Sequence, residues 1–467
     1  MFKNFLGGAY RHRRPPRQTH QYILKCIPAE QYGSIFAERW CRGSPLLHIF
    51  SPQNKALIWR QLWIWLAESE RELGLGALIS KEMVDELKAQ KGNIDWDKIK
   101  EIERQLKHDV MAHIQAYGED NADLIVQRDA LDHLLKRLAI CLHRLANFAE
   151  KYADVPIEGR THFQPASLTT VGKRAVLWAD GLLHAFKKLN QVRAEFRFRG
   201  VKGAVGTQDA LLQLFDGDAA RTKAVFGVCG QTYPRYQDSD VLFALSSLAS
   251  AAAKFASDLR ILQSFGEMSE PFDAAHQVGS SAMPYKRNPM LCERICGIAR
   301  YMMVNSLNPL FTFAEQGFER TLDDSANRRV VLPDAFLGAD AILSTLQKVF
   351  EGMCVYESVV RASVHKSGAL LERALMLLTQ RGGNRQEAHE RIRQIAVNGV
   401  TGDDLLGALP PEIRDDLRKL IDQPLLMCGQ AGQQTRDFLA NELRPTIAEV
   451  LGRVSDDDKQ KTMVLDV

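Results

Sequence analysis

The chain has 467 residues, of which 45% are hydrophobic and 25% are charged. These are ordinary values for a globular protein, and the length exceeds what one hydrophobic core usually supports, so we expect two or three domains. A net charge of +3 is too small to indicate nucleic-acid binding, and we find no apolar run long enough to cross a bilayer. We therefore predict neither a nucleic-acid-binding protein nor a membrane protein.

The eight cysteines are scattered along the chain, which is typical of free thiols in a reducing compartment. The close pair Cys292 and Cys296 has helical spacing rather than the spacing of a metal knuckle, and the histidines form no ligand cluster. We predict no metal, no cofactor and a cytoplasmic location. Residues 1–38 start with several basic residues, and we predict a disordered extension there; a mitochondrial transit peptide is the alternative.

Long helical patterns dominate the middle of the chain. Apolar residues recur every three or four positions from Leu131 to Phe148, and similar stripes occupy 171–196, 245–262 and 331–346. A fifth pattern follows Pro289, and strand-like alternation is almost absent. The sequence therefore predicts an all-α fold whose central long-helix bundle forms the core of an oligomer.

The predicted organisation has three helical domains. An N-terminal helical domain spans 39–118, and its stripe containing Trp59 and Trp63 indicates core packing. The long-helix bundle spans 119–352, and a C-terminal helical domain with shorter helices spans 353–454. Residues 455–467 form a polar tail.

One loop in the bundle, Gly279–Pro289, combines two serines, Lys286, Arg287 and Asn288 with two prolines. The prolines end any regular element, and the hydroxyl, ammonium and amide groups suit a substrate carboxylate. A solvated basic turn explains the same composition. The residues of the loop alone leave both interpretations open.

Two further polar stretches lie next to long helical patterns. Residues Arg160–Pro165 contain His162, which suits general acid–base chemistry but equally a capping or packing role. Residues Phe318–Arg329 combine arginines with acids and Ser325, which fits a phosphate site or a structural ion-pair network. Spacing does not separate these alternatives.

The loop Gly279–Pro289 resembles the signature loop of the fumarase/aspartase superfamily, and its Ala-Met-Pro-Tyr-Lys-Arg form is similar to that of the adenylosuccinate lyases. The resemblance runs from about Arg39 onward through several motifs in the family's order. These motifs are Trp59–Trp63, Lys107–His113, Thr161–Ala166, Phe198–Gln208, Gly230–Tyr233 and Glu319–Arg329.

The resemblance implies a β-elimination that releases fumarate from adenylosuccinate, giving AMP, and from the succinylated aminoimidazole carboxamide ribotide. It implies that Ser280 is the general base, that His162 is the general acid, and that Lys286 and Asn288 hold the succinyl carboxylate. It also implies a homotetramer whose active sites are shared between subunits. The remaining nucleotide contacts implied are Arg39, Trp40, Lys107, His108, Asp109, Thr161, Gln231, Arg294, Arg320 and Ser325.

The chain departs from the family pattern in two places. The family's His-Leu-Gly-Ala-Thr-Ser segment, whose Thr-Ser pair binds the succinyl end, is missing after Gly118, and the stretch between Asp218 and Gly230 is short. Two hypotheses follow. The chain is an active lyase, or it is a catalytically impaired homologue or splice product that acts as a structural or modulating subunit.

Overall fold

The computed structural model describes residues 33–107, 113, 122–218, 227–273, 277, 279, 282–398 and 403–465. Most of the predicted N-terminal extension lies outside these residues, and so do His108, Asp109 and Ser280. The junction between Gly118 and Glu119 also lies outside them.

The N-terminal part of the described chain consists of one 19-residue helix and several shorter ones. Ser51 caps one of them by accepting a hydrogen bond from the Asn54 amide, with Pro52 as the first helical residue. The indole rings of Trp59 and Trp63 lie 6.4 Å apart and both are buried, so the predicted core role of this stripe is confirmed. The elements are a π-helical turn (Phe36–Trp40), α1 (Pro45–Ile49), α2 (Pro52–Glu70), a π-helical turn (Arg71–Leu75), α3 (Lys81–Gln90) and α4 (Trp96–Leu106).

The centre of the molecule is the predicted bundle of long helices. Its buried faces share one core, in which Leu138, Phe186, Phe255 and Phe336 are almost completely inaccessible to solvent. The all-α prediction is confirmed, because helices dominate the described chain. The helices are α5 (Ala122–Lys151), α6 (Val171–Glu195), α7 (Asp209–Leu214), α8 (Tyr236–Ser264), α9 (Met290–Asn305), α10 (Asn308–Ala314) and α11 (Asp323–Gly352).

Helix α11 is the most enclosed of the long helices. It has a mean hydropathy of 1.2 in its most apolar window, so by length and composition alone it could cross a bilayer. However, 83% of that window is buried against the rest of the protein. Burial by neighbouring helices accounts for its composition, as expected for a core helix.

The C-terminal part has a smaller hydrophobic cluster that includes Leu370, Leu405 and Leu417. The last helices return to the main core through Leu439 and Ile447. The boundaries between domains stay predictions. The helices are α12 (Glu357–Lys366), α13 (Ala369–Gln380), α14 (Arg385–Val397), α15 (Asp403–Ala408), α16 (Arg414–Asp422), α17 (Ala431–Phe438), α18 (Arg444–Gly452) and α19 (Asp456–Gln460), with a π-helical turn at Leu439–Leu443 and 3₁₀ turns at Pro411–Ile413 and Pro424–Met427.

Two small antiparallel sheets interrupt the helices. Strand β1 (Pro156–Thr161) pairs with β2 (Gln164–Thr170), and β3 (Met268–Ser269) pairs with β4 (Cys354–Val355). The first pair was not expected from the sequence, since β1 shows no regular alternation of buried and exposed residues. Its hydrogen-bonded pairing, rather than a hydrophobic pattern, defines this hairpin.

Close packing of α5 against the start of α6 depends on Gly172. A Cβ atom at this position would lie 2.4 Å from the Ala149 carbonyl oxygen and 2.6 Å from the Ala153 Cα. We therefore expect Gly172→Ala to lower the free energy of unfolding by about 1 to 3 kcal/mol, because backbone must move to accommodate the methyl group.

Denaturant unfolding followed by circular dichroism measures this effect. Gly297→Ala in α9 is the matched control, because a Cβ atom there meets nothing within 4 Å and alanine favours the helix. Equal stabilities of the two variants would contradict the proposed packing constraint.

Candidate active site

His162 lies at the tip of the β1–β2 hairpin. Thr161 pairs with Gln164, which leaves His162 and Phe163 as a two-residue turn with φ angles of 53° and 59°. Positive φ at both central residues is typical of the turns that suit the twist of a hairpin, although such residues are usually Gly or Asn. His162 and Thr161 are exposed, so a single chain presents this imidazole to solvent.

The described part of the signature loop, Gly279 and 282–289, closes on itself. The Asn288 side-chain amide donates a 3.1 Å hydrogen bond to the Gly279 carbonyl. A Cβ atom at Gly279 would lie 2.2 Å from the Lys286 carbonyl oxygen, so only glycine fits this crossing. Asn288 therefore has a structural bond in this chain besides its predicted role toward substrate, whereas the side chain of Lys286 is exposed.

The C-terminal end of the loop is attached to α8 and to the segment that follows α8. The Gln263 side chain at the end of α8 donates to the Arg287 carbonyl oxygen over 3.0 Å. The buried carboxylate of Glu270 accepts hydrogen bonds from the Leu291 and Cys292 amides, 3.0 and 2.9 Å away, and so caps α9. These bonds fix the position of the loop relative to α8 and α9.

Arg294 follows the loop by about one turn of α9, and Arg39 lies close to it. Burial and the positive charge of Arg39 lower the pKa of Arg294, while Glu270 partly opposes them. Two neighbouring guanidinium groups repel each other unless an anion lies between or beside them. The structure thus places Arg39 near Arg294, about one turn into the helix that the signature loop leads into, where an anion would offset their repulsion.

The π-helical turn that carries Arg39 and Trp40 is held against the bundle. Phe36 packs on Trp40 and Tyr301 with centroid distances of 5.3 and 5.7 Å. Just beyond the turn, the Cys41 thiol donates to the Leu337 carbonyl oxygen over 3.1 Å. The predicted contact residues Arg39 and Trp40 are therefore positioned by α9 and α11.

Asp340 of α11 holds the segment that follows this turn through hydrogen bonds and an ion pair. Its buried carboxylate accepts a 2.6 Å hydrogen bond from the Ser44 hydroxyl and contacts His133 and Arg137, each at 3.0 Å. Burial alone would raise the pKa of Asp340, but Arg137, His133 and Ser44 outweigh it and hold the pKa below its ordinary value. The fold thus favours the charged carboxylate.

Gln231, Arg320 and Ser325 form a separate group. The backbone amide of Gln231 donates to the Glu319 carbonyl oxygen over 3.0 Å. This bond places Gln231 beside Arg320. Arg320 Nη1 lies 3.1 Å from the buried Asp324 carboxylate, and Ser325 is the next residue. The structure therefore brings these three predicted contacts together at the start of α11.

A buried network of charges supports this second group. Asp324 also pairs with Arg235 at 2.7 Å, while Asp238 accepts from the Tyr233 hydroxyl and from Arg328, each at 2.7 Å. The residue types fit Arg328 either to a ligand contact or to an ion pair, and in the structure it forms a buried ion pair with Asp238. Burial, against the opposing charge of Arg328, raises the pKa of Tyr233 and keeps its phenol neutral.

The network extends to further charged groups. Arg328 also lies 3.6 Å from Asp123, which pairs with Lys55 at 2.9 Å. A hydrogen bond from Thr321 and the positive charge of Arg320 lower the pKa of Asp323. Within the described residues, four carboxylates therefore face four cations. The cations are Lys55, Arg235, Arg320 and Arg328, and the carboxylates are Asp123, Asp238, Asp323 and Asp324.

The two groups lie at opposite ends of the bundle. Helix α8 has 29 residues, which corresponds to about 43 Å at 1.5 Å per residue. Gln231 lies just before this helix, and Gln263 at its end contacts the signature loop. The Lys286 loop and the Gln231 group of one chain therefore cannot surround one small molecule.

The remaining predicted site residues include Lys107, His108, Asp109 and Ser280. Lys107 ends α4 in a left-handed conformation, with φ of 55°, and is exposed. His108, Asp109 and Ser280 fall outside the described residues. Over the residues that the structure describes, no group of three His, Cys, Asp or Glu side chains is placed to hold a metal ion. The absence of a metal or cofactor stays a prediction.

Comparisons with known proteins identify the family of this chain. Residues 121–303 match the lyase family model. An adenylosuccinate lyase of Caenorhabditis briggsae is 44% identical, and the match covers 90% of this chain and 97% of the relative. The chain belongs to the adenylosuccinate lyase family. The adenylosuccinate lyase of Schizosaccharomyces pombe is 38% identical, with 92% of this chain and 98% of the relative covered.

Solved structures support the fold. A 3-carboxy-cis,cis-muconate lactonizing enzyme from Pseudomonas putida superposes with a TM-score of 0.72 at 22% identity, covering 87% of this chain and 97% of the other. A fumarate lyase from Mesorhizobium sp. BNC1 gives 0.71 at 20% identity, covering 91% and 100%. At these identities the likeness concerns the all-α fold alone, which it confirms as fumarase/aspartase-like.

The contribution of Asp340 to the free energy of unfolding should depend on pH. We expect Asp340→Asn to lower the free energy of unfolding by about 3 kcal/mol or more near pH 7, because Arg137 loses its buried partner. The wild-type carboxylate stabilises the fold above the ordinary aspartate pKa of about 3.9, and this contribution is lost as the pH falls below it. The difference between the two proteins should therefore shrink from about pH 5 toward pH 3.

Urea unfolding near pH 7, pH 5 and pH 3 measures that difference. Asp154→Asn is the control, because its ion pair with Arg436 is exposed and should contribute at most about 1 kcal/mol. A difference between wild type and Asp340→Asn that stays constant across this pH range would contradict the ionic role of Asp340.

Proposed function

We propose that this chain is an adenylosuccinate lyase, which eliminates fumarate from adenylosuccinate and from the succinylated aminoimidazole carboxamide ribotide. The observation that carries the proposal is the proximity of Arg39 to Arg294 in α9, the helix that directly follows the signature loop. Family membership supplies the reaction, and this cationic region supplies a place where its carboxylate- and phosphate-bearing substrates fit.

In the proposed reaction Ser280 removes a proton from the succinyl Cβ. The electron pair left on that carbon is delocalised into the adjacent carboxylate, and the C–N bond then breaks to give fumarate. His162 donates a proton to the departing nitrogen, so the proton balance closes with one proton accepted and one supplied. Lys286 stabilises the negative charge that develops on the succinyl carboxylate.

The remaining contacts follow the family resemblance. Arg320 and Ser325 contact the phosphate, since guanidinium and hydroxyl groups are donors that suit phosphate oxygens. Arg39, Trp40, Thr161, Gln231 and Arg294 contact the nucleotide or the succinyl group. The proposal also retains Lys107, His108 and Asp109 as nucleotide contacts, while the role of the missing Thr-Ser pair has no assigned residue.

We also propose that the active protein is a homotetramer with shared active sites. Within one chain about 43 Å separates the signature loop from the Gln231 group, so both can serve one substrate only if different chains supply them. The bundle offers apolar side chains for such contacts: Phe311 is 63% exposed, Val304 67% and Leu177 64%. Exposed apolar side chains of this kind are typical of an association surface.

We place the protein in the cytoplasm. The described cysteines are free thiols, which suits a reducing compartment. Imaging a C-terminally tagged full chain tests this proposal, and mitochondrial fluorescence would favour the transit-peptide alternative.

The primary test is an assay of the purified full chain. Adenylosuccinate is followed by ultraviolet absorbance, and the oligomer is sized by light scattering. Turnover by a tetramer is the expected result. A tetramer that neither turns over adenylosuccinate nor binds AMP would reject the enzyme and favour the structural or modulating subunit.

Lys286→Met tests the proposed charge stabilisation. We expect kcat to fall by about 100- to 1000-fold, since the ammonium group acts on charge that develops in the transition state. KM should change much less. Lys88→Met is the control, because Lys88 pairs with Glu68 in the N-terminal helices; a variant of Lys286 that loses affinity but keeps kcat would contradict the assignment.

Complementation tests the sharing of sites. Lys286→Met and Arg320→Met should each be nearly inactive, but co-expression should restore activity. If a site takes these two residues from different chains, roughly one quarter of the sites in randomly mixed tetramers are intact. Activity equal to the sum of the separate variants would show that one chain supplies both residues.

A further inference from the structure

Arg160 makes the most extensive contacts near His162, two residues away along β1. Its guanidinium forms a two-pronged ion pair with Glu267, with N–O distances of 3.0 and 2.7 Å. It also lies 3.0 Å from the Glu158 carboxylate and 4.4 Å from the centre of the Phe265 ring. One side chain therefore links the hairpin to the end of α8 through charge, hydrogen bonds and ring stacking.

Glu267 is a rigid partner for this contact. Its side chain is completely buried, and its backbone is bonded on both sides. Its amide donates to the Leu262 carbonyl oxygen over 3.0 Å, and its carbonyl accepts from the Tyr356 amide over 2.9 Å. The ion pair thus joins the hairpin to backbone that the bundle core already fixes.

The hairpin tip depends on such an attachment. His162 and Phe163 both hold positive φ angles, which are unfavourable for residues with a Cβ atom. The strand pairing is irregular between Glu158 and Arg160, and the sheet has only two strands. A two-stranded hairpin is marginally stable by itself, so contacts outside the sheet must maintain the conformation of the turn.

We infer that Arg160 is a positioning residue that holds the His162 turn through its contact with Glu267. The inference rests on the proposed function, in which His162 protonates the departing nitrogen. Proton transfer requires the imidazole nitrogen within hydrogen-bond reach of the leaving group, so a shift of the turn by about 1 Å is costly to the rate. Arg160 is not proposed to touch the substrate.

The planar guanidinium is essential to this role. Arginine matches both oxygens of Glu267 and stacks on Phe265 at the same time, whereas lysine offers a single point charge. Arg160→Lys should therefore keep the charge balance around the buried Glu267 but leave the turn less constrained. Arg160→Met should remove both effects.

Kinetics of the full-length enzyme test the inference. We expect kcat to fall by about 10- to 100-fold in Arg160→Met and by less in Arg160→Lys, with KM changing less than about threefold. In a His162→Gln background the same Arg160→Met change should alter kcat less than about twofold, because the group that Arg160 positions is gone. Equal losses in both backgrounds would overturn the inference and leave Arg160 with a general structural role.

Hydrogen exchange of the intact protein provides a test that does not require turnover. In Arg160→Lys and Arg160→Met, exchange in the segment 156–170 should accelerate more than in the long helices. Arg193→Met is the matched control, because Arg193 makes a similar two-pronged pair with Asp132, at 2.7 and 2.9 Å, between α5 and α6.

The two tests separate the two proposals. A wild-type protein without turnover would reject the proposed function, while faster exchange confined to the hairpin would still support the positioning contact. Unchanged exchange in the hairpin of Arg160→Lys and Arg160→Met would overturn the inference whether or not the protein is active.

Discussion

The length of the long helices is the constraint on which the arrangement of this protein depends. Burial of side chains such as Phe255 and Phe336 fixes α8 and α11 against their neighbours, so the two ends of the bundle cannot approach each other. Polar residues placed just outside the helices then collect at separate ends. The signature loop follows the end of α8, whereas Gln231 precedes its start. Under the proposed function, a site for one substrate would combine surfaces from more than one chain.

Charged groups inside the bundle have a different role from the apolar core. Removing carboxylates such as Asp324 and Asp340 from water is unfavourable, and ion pairing recovers this cost only with good geometry. Each of them has two or more partners on other elements or on the same helix. These contacts fix Arg320 and the turn carrying Arg39 before any ligand is bound. Preorganised donors of this kind stabilise developing charge without having to reorganise during the reaction.

The sequence predicts the helices well because their signal is local. The stripe from Leu131 to Phe148 and the buried Trp59–Trp63 pair are visible as periodic patterns. Long-range polar contacts leave no such pattern: Arg160 and Glu267 are 107 positions apart, and Ser44 and Asp340 are 296 apart. The residue types around these positions do not indicate which distant residue each side chain will contact.

The sequence did not predict the conformation of the β1–β2 hairpin or of the signature loop, and the reasons are related. His162 and Phe163 are poor candidates by type for positive φ, so tertiary contacts rather than propensity determine that turn. Asn288 has an amide that suits a substrate carboxylate, but in the structure the same amide donates to the Gly279 carbonyl oxygen. Composition identifies which groups are available, whereas the partner of each group is decided by the fold.

A serine base places a strong demand on the surroundings of the signature loop. A hydroxyl group accepts a carbon-bound proton only if its alkoxide is stabilised and water is excluded. In the single chain the loop is open to solvent, with Tyr285 82% exposed and Lys286 exposed. The bonds from Gln263 and Glu270 secure the C-terminal end of the loop but do not cover its middle. For the proposed reaction, the neighbouring chains that bring the second group of residues would also have to shield this loop. Assembly and catalysis would then depend on the same contacts.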